Sequence, residues 1–180
     1  AVYKYLEYVN TPDAYEFIKK DIYPCLKDII STYKKGTDFS IYMDTDGLIH
    51  AGSGLDQVTW MDVRVGDWVA TPRHGKPVEI NALWYNALCT MDMLQAKFGD
   101  NDDSYRQLAS LVKTSFNKRF WNENTGCLYD VVDEDDDTIR PNQIYAVSLP
   151  FTMLDKEREK AIVDTVMDKL YVGWTAFARS

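Results

Sequence analysis

At 180 residues, with 46% hydrophobic and 27% charged side chains, the chain has the size and balance of one domain that can bury a sizeable core. Its net charge of −8 excludes the basic face that a phosphate-binding nucleic-acid surface needs, and no apolar run approaches the ~20 residues of a membrane helix. The three cysteines, Cys25, Cys89 and Cys127, are far apart and form no CxxC pair, so neither a zinc site nor a disulfide framework is indicated. Unpaired cysteines and the lack of a signal peptide lead to the expectation of a reducing, cytoplasmic compartment. A chain that opens on Ala1 and enters a helical pattern directly reads as a processed protein or a piece of a longer one.

In chain order, Val2, Tyr5, Leu6 and Val9 are helix-spaced. A helix is predicted over 11–36. Thr11 can cap it, Pro12 suits its first turn, and Ala14, Phe17, Ile18, Ile22, Leu26, Ile29, Ile30 and Tyr33 form an apolar stripe. Pro24 should kink or split it, and Gly36 should end it. A strand from Phe39 to Met43, a turn over Asp44–Gly47 and the run Leu48–His50 predict a hairpin. Pro77 opens a helix over 78–98, with Ile80, Leu83, Trp84, Ala87, Leu88, Met91 and Leu94 on its stripe and Gly99 after it. Asp102 or Asp103 caps another through Arg119, with Tyr105, Leu108, Val112, Ser115 and Phe116 on one face. Phe120-Trp121-Asn122 reads as the end of that helix, Asn124-Thr125-Gly126 as a turn and Cys127–Val132 as strand. The acidic run 133–137 reads as a solvated turn. Pro141 starts a short helix stopped at Pro150, and a last helix is predicted over 155–171 with Ile162, Val163, Val166 and Leu170 inward. The tail GWTAFARS carries no capping pattern.

The segment from Asp44 to Asn81 stands apart. Gly47, Gly52, Gly54, Gly66 and Gly75 break any helical period, and Asp44, Asp46, Asp56, Asp62, Asp67 and Glu79 are interleaved with Trp60, Trp68, Arg64, Arg73 and His74. Loops this long in compact domains are usually functional or disordered, and the Trp, Val and Leu content argues against disorder. Paired carboxylates are what glycoside hydrolysis requires, and Trp faces stack on pyranose rings. A carboxyl beside Trp60 would be raised by desolvation, as a general acid needs. On composition alone a second reading stands beside this one, in which Trp60 and Trp68 anchor the core and the aspartates cap turns. Asp44-Thr45-Asp46-Gly47 resembles the start of a calcium loop but lacks the later glutamate. His50 and His74 form no HExxH, Ser53 sits in no nucleophile elbow, and Cys89 falls mid-helix toward the core. No metal site is predicted.

Several ordered motifs then carry a resemblance. GLDQVTWMDVRVGDW, followed by ATPRHGKPVEINALWYNAL, resembles the signature region of the amylo-α-1,6-glucosidase domain of glycogen debranching enzymes. FWNENTGCLYDVVD and IRPNQIYAVSLP resemble later segments of that family, so the likeness runs from roughly Thr11 to Leu170. The resemblance implies an (α/α)6 toroid shared with glucoamylase-like enzymes and inverting hydrolysis of the α-1,6-linked glucose at a branch point. It implies glycogen or limit dextrin, an α-glucan, as the partner, and no cofactor. It implies Asp62 as general acid, with Asp56 as rival, and Trp60 lining the glucose subsite. Arg73, Glu79, Asn81, Arg140, Asn142 and Gln143 are the implied sugar contacts.

The sequence departs from the family pattern in extent. Five to six helices are too few to close a ring of helix pairs, so the expected fold is all-α, a partial toroid with long loops and small β-hairpins at one end. The family's general base is a glutamate beyond the RPNQ helix and the helix after it. Glu157, Glu159 and the carboxylates of 133–137 fall in the wrong place to replace it, and Tyr171-Val172-Gly173-Trp174 does not match the family's Thr-Pro-Tyr-Gly turn. The expectation is a single partial catalytic domain over 1–180, inactive by itself and prone to self-association through exposed apolar helix faces. The alternative is a non-catalytic α-glucan-binding helical module.

Overall fold

A computed structural model of the chain describes residues 1–100 and 102–172. The tail from Gly173 onward, including the expected mismatch at Gly173-Trp174, lies outside the described residues.

The first helical region has more pieces than its apolar stripe suggests. Helix α1 (Val2–Val9) is followed by α2 (Pro12–Phe17), where Thr11 Oγ1 accepts from the Ala14 N–H and Pro12 occupies the first turn. The chain then widens into one π-helical stretch, Ile18–Ile22, before α3 (Tyr23–Lys35). Pro24 explains the change. Its ring cannot donate a helical hydrogen bond and crowds the preceding turn, and the wider turn before it absorbs both defects without breaking the axis. Gly36 ends α3 at φ 100°, and its N–H returns to the Thr32 carbonyl.

Among the described residues, four small two-stranded sheets decorate the helices. Strands β1 (Tyr42–Met43) and β2 (Ile49–His50) form the expected hairpin around Asp44–Gly47. A second hairpin, β3 (Arg64–Val65) with β4 (Trp68–Val69), turns at Gly66-Asp67. Strand β5 (Lys76–Pro77) reaches across the sequence to β8 (Val131–Val132). Between them, β6 (Trp121–Asn122) pairs with β7 (Cys127–Leu128). Trp121-Asn122 is therefore strand and not the end of a helix, because the Asn124-Thr125-Gly126 turn brings it back against Cys127-Leu128.

The long helix α4 (Val78–Phe98) is the central post. It runs directly out of β5, and Gly99 in the left-handed region (φ 77°) closes it. Val78, Leu88 and Leu94 are fully buried, and Trp84 donates from Nε1 to the Gly47 carbonyl at 3.0 Å, tying the first hairpin to the post. Helix α5 (Ser104–Arg119) packs alongside through Val112 and Phe116. The Asp102 carboxylate receives both the backbone N–H and the hydroxyl of Ser104. A 3-10 turn (Pro141–Ile144) leads into α6 (Tyr145–Ser148), and α7 (Lys156–Lys169) starts where the Asp155 carboxylate caps the Arg158 N–H.

The chain is thus mostly helical, as expected. The apolar stripes are only partly covered, however. Phe17, Ile29 and Val163, expected to face inward, are 46%, 51% and 41% exposed. Ile29 lines an apolar groove of about 440 Å³ between α1, α3, α4 and Ser148–Pro150. No described helix is long and apolar enough to cross a membrane.

Candidate active site

The decorated segment is not structureless. Within it, Ala51 and Gly75 exchange backbone hydrogen bonds (2.7 and 3.1 Å), which joins the end of the first hairpin to the stretch that leads into β5. Gly75 sits at φ 103°, and a β-carbon there would meet the Val132 carbonyl oxygen at 2.7 Å, so only glycine lets β5 lie this close to β8. The β5–β8 register, Lys76 against Val132 and Pro77 against Val131, brings the TPRHGKP and LYDVVD motifs together.

Two ion networks follow from that register, the first centred on buried side chains and the second on one buried lysine. In the first, Arg73 forms a bidentate pair with Glu79 (2.5 and 2.6 Å) while its Nε donates to Asp130 at 2.7 Å. All three side chains are at most 4% exposed. Arg140 donates to Asp130 at 2.7 Å and to Asp136 at 2.6 Å. Asn142, fully buried, donates to Asp130 at 2.7 Å and accepts from Trp60 Nε1 at 2.9 Å. Burial pushes the Arg73 guanidinium down, but its bonds to Glu79 and Asp130 outweigh that and leave it raised. Charges removed from water in this way are tolerated only when hydrogen-bonded on every side.

In the second network the Lys76 ammonium, 2% exposed, meets Asp44 at 2.8 Å, Asp46 at 2.9 Å and Asp133 at 3.6 Å. Arg119 bridges Asp46 and Asp133. The two aspartates that resemble the start of a calcium loop therefore hold a lysine of the same chain. The acidic run is only partly solvated, since Asp133 and Asp136 are paired while Glu134 and Asp135 face solvent.

This second network predicts a stability plateau in pH. The hydrogen bond from Lys76 holds the Asp44 carboxyl below its ordinary value. In Asp46 burial pushes up, but bonds from Lys76 and Arg119 outweigh it and the carboxyl is also lowered. Burial pushes Lys76 down, and its bonds to Asp44 and Asp46 outweigh that and raise it. Depressed carboxyls contribute fully above their ordinary range and lose the contribution as pH falls through the folded values. A raised ammonium contributes fully below its ordinary range and loses the contribution as pH rises through its folded value. The urea midpoint should therefore be flat from about pH 5 to about pH 9 and fall on both sides. A midpoint that rises on acidification to about pH 3 contradicts the arrangement.

The residues singled out in the sequence separate into three groups. Arg73, Glu79, Arg140, Asn142 and Trp60 converge on one connected platform. Asn81 and Gln143 turn inward. Asn81 is fully buried and bonds the Ile49 N–H and carbonyl and the Pro77 carbonyl, and Gln143 accepts from the Leu128 N–H. The two carboxylates, Asp62 and Asp56, differ. Asp62 is exposed and has no hydrogen bond or ion pair among the described residues, so these residues do not supply the burial expected around it. Asp56 is half-buried and caps a turn, accepting from the Ser53 N–H (3.0 Å) and hydroxyl (3.2 Å). Trp60 and Trp68 are 61% and 62% exposed, which removes the core-anchor reading for both. Burial pushes the Cys89 thiol up, which keeps it protonated and unreactive.

Two buried groups escaped the sequence reading. Asp130 had one signal, a lone carboxylate inside the apolar run from Cys127 to Val132, where a charge must find a partner. Lys76, between Gly75 and Pro77, had none, because its burial depends on a strand pairing across the chain.

The fold is one met among glycoside hydrolases. It resembles the GH78 family rhamnosidase of Bacillus sp. GL1, with a TM-score of 0.63 at 18% identity over 93% of this chain. The chain spans only 16% of that rhamnosidase. No curated protein matches the sequence. The family model described as amylo-alpha-1,6-glucosidase matches residues 1–175, and the chain belongs to that family.

Proposed function

We propose that this chain carries the acid half of an inverting amylo-α-1,6-glucosidase site, with Asp62 as general acid and Trp60 as the wall of the glucose subsite. One observation carries the reading. Trp60 is largely exposed yet pinned at its indole edge, through Asn142, to the buried Arg73–Asp130 pair, and Asp62, unpaired among the described residues, stands two residues further on. With the N–H already engaged, the ring offers its apolar face, which suits the C–H surface of a pyranose. Asp56 is the weaker candidate, because Ser53 already holds its carboxylate. Asn81 and Gln143 serve by holding backbone and do not touch sugar in this account.

The substrate proposed is the α-1,6-linked glucose at branch points of glycogen or limit dextrin, as the family's description suggests. Inversion needs a second carboxylate about 6.5–9.5 Å from the acid with lone pairs free for water. Glu79, Asp130 and Asp136 do not fit that role, since Arg73, Arg140, Asn142 and the Thr138 N–H occupy their oxygens. The base then comes from another part of a longer protein, and this chain acts as one partial catalytic domain, an arc of an (α/α)6 toroid, inactive alone. A cytoplasmic setting fits three unpaired cysteines.

Titrating tryptophan fluorescence with isomaltose and maltose, beside a glucose-release assay, tests the reading. The expected result is binding by this chain and binding with turnover by the full-length enzyme. Binding without turnover even at full length points instead to a non-catalytic glucan-binding module, and the absence of both sinks either reading. The uncovered faces of α3 and α7, with Ile29, Val163 and Met167 exposed, carry a further expectation of self-association. Sedimentation should show a mass that grows with concentration, and a concentration-independent monomer contradicts it.

A further inference from the structure

We infer that Asp130 is a positioning residue that sets the indole of Trp60 through the amide of Asn142. The contacts stand on their own, and only their consequence for turnover rests on the reading of Trp60 and Asp62 above. Asp130 is 2% exposed. Its Oδ2 accepts from Arg73 Nε and Arg140 Nη1, both at 2.7 Å, and its Oδ1 accepts from Arg73 Nη2 at 3.2 Å and Asn142 Nδ2 at 2.7 Å.

The chemistry of the three groups leaves Asn142 one orientation. A carboxylate flanked by two guanidiniums only accepts, and an indole N–H only donates. The amide between them must turn its NH2 to Asp130 and its oxygen to Trp60, where the bond is 2.9 Å. Flipped over, it would set oxygen against carboxylate and N–H against N–H, leaving two polar groups unpaired. The same NH2 lies 3.5 Å from Met61 Sδ, so two consecutive residues of the TWMD motif meet this one amide.

The ring of Trp60, 61% exposed, has little packing to hold it, and this edge bond is its one hydrogen bond among the described residues. Asp130 thus fixes the donor–acceptor order of a relay that ends at Trp60, and with Met61 it fixes where the segment bearing Asp62 leaves the body of the fold.

The test reads the indole N–H signal of Trp60 in the nitrogen-15-labelled chain, identified by its loss in Trp60→Phe. Asp130→Asn allows the Asn142 amide to flip. The Trp60 signal should shift and its exchange with solvent should quicken about tenfold, the scale of one lost net hydrogen bond. The exchanged pair Asp130→Asn with Asn142→Asp restores the order, because the amide at position 130 donates to a carboxylate at 142 that accepts from Trp60. Its Trp60 N–H should again be protected, with exchange no faster than in the native chain. An unchanged signal in Asp130→Asn overturns the inference, since a merely structural Asp130 would lower the melting temperature and leave the indole alone. Should Asp130→Asn fail to fold, the exchanged pair decides, and failure to fold or to restore the protection of the indole N–H overturns the inference. The readout is independent of glucose release, so an active Asp62→Asn enzyme would sink the acid assignment and leave this result standing.

Discussion

Replacing Arg73 with Met should lower the stability of the chain by about 3–5 kcal/mol, the cost of stranding buried charge. Arg73 is 3% exposed and is the only cation that Glu79 meets among the described residues, while Asp130 would keep Arg140 alone. The methionine fills much of the volume, so the loss measures charge left without a partner and not a cavity. Arg73→Lys should recover only part of it, because an ammonium cannot span both oxygens of Glu79 and still reach Asp130. The double replacement Arg73→Met with Glu79→Gln should be less harmful than the single one, since it removes the carboxylate left without a cation. Urea unfolding measures all three. A single Arg73→Met variant within about 1 kcal/mol of the native chain would show that the network does not bear on folding.

The second large effect concerns chemistry. In the full-length enzyme, Asp62→Asn should lower glucose release from limit dextrin by about 10²–10⁴-fold, the usual contribution of a positioned general acid. Breaking an α-1,6 bond expels a sugar alkoxide unless a proton arrives with it, and an amide has none to give. The substitution keeps shape and removes only the titrating group. Because Asp62 is exposed and unpaired among the described residues, folding should be unaffected, which separates this variant from those of Arg73. The alkaline limb of the pH–rate profile, where a general acid loses its proton, should also move or vanish, and Asp56→Asn should leave the rate far closer to native.

The helical body could be read from periodicity because each long helix has a clear start and stop. Val78–Phe98 lies between Pro77 and Gly99, and Lys156–Lys169 begins at the Asp155 cap. What escaped turns on detail that the apolar period does not carry. The π-helical stretch answers a proline whose effect local rules give only as a kink or split. The strand at Trp121-Asn122 exists only through its pairing with Cys127-Leu128. For the site, the motif order led to Trp60, Arg73, Glu79, Arg140 and Asn142, which do converge. Asp130 and Lys76 escaped, because β5–β8 pairing across the chain gives them their roles. Residue type also left exposure open. Trp60 and Trp68 are apolar enough to be core anchors, yet both stand in solvent on segments that the core does not reach.

The assignment of Asp62 is tested most directly by comparing two substrates in the full-length Asp62→Asn enzyme: limit dextrin, whose leaving group needs a proton, and α-glucosyl fluoride, whose fluoride leaves without one. The proposed mechanism predicts a loss of about 10²-fold or more on limit dextrin with the fluoride rate largely kept. An Asp62→Asn enzyme that still releases glucose from limit dextrin at the native rate would contradict it.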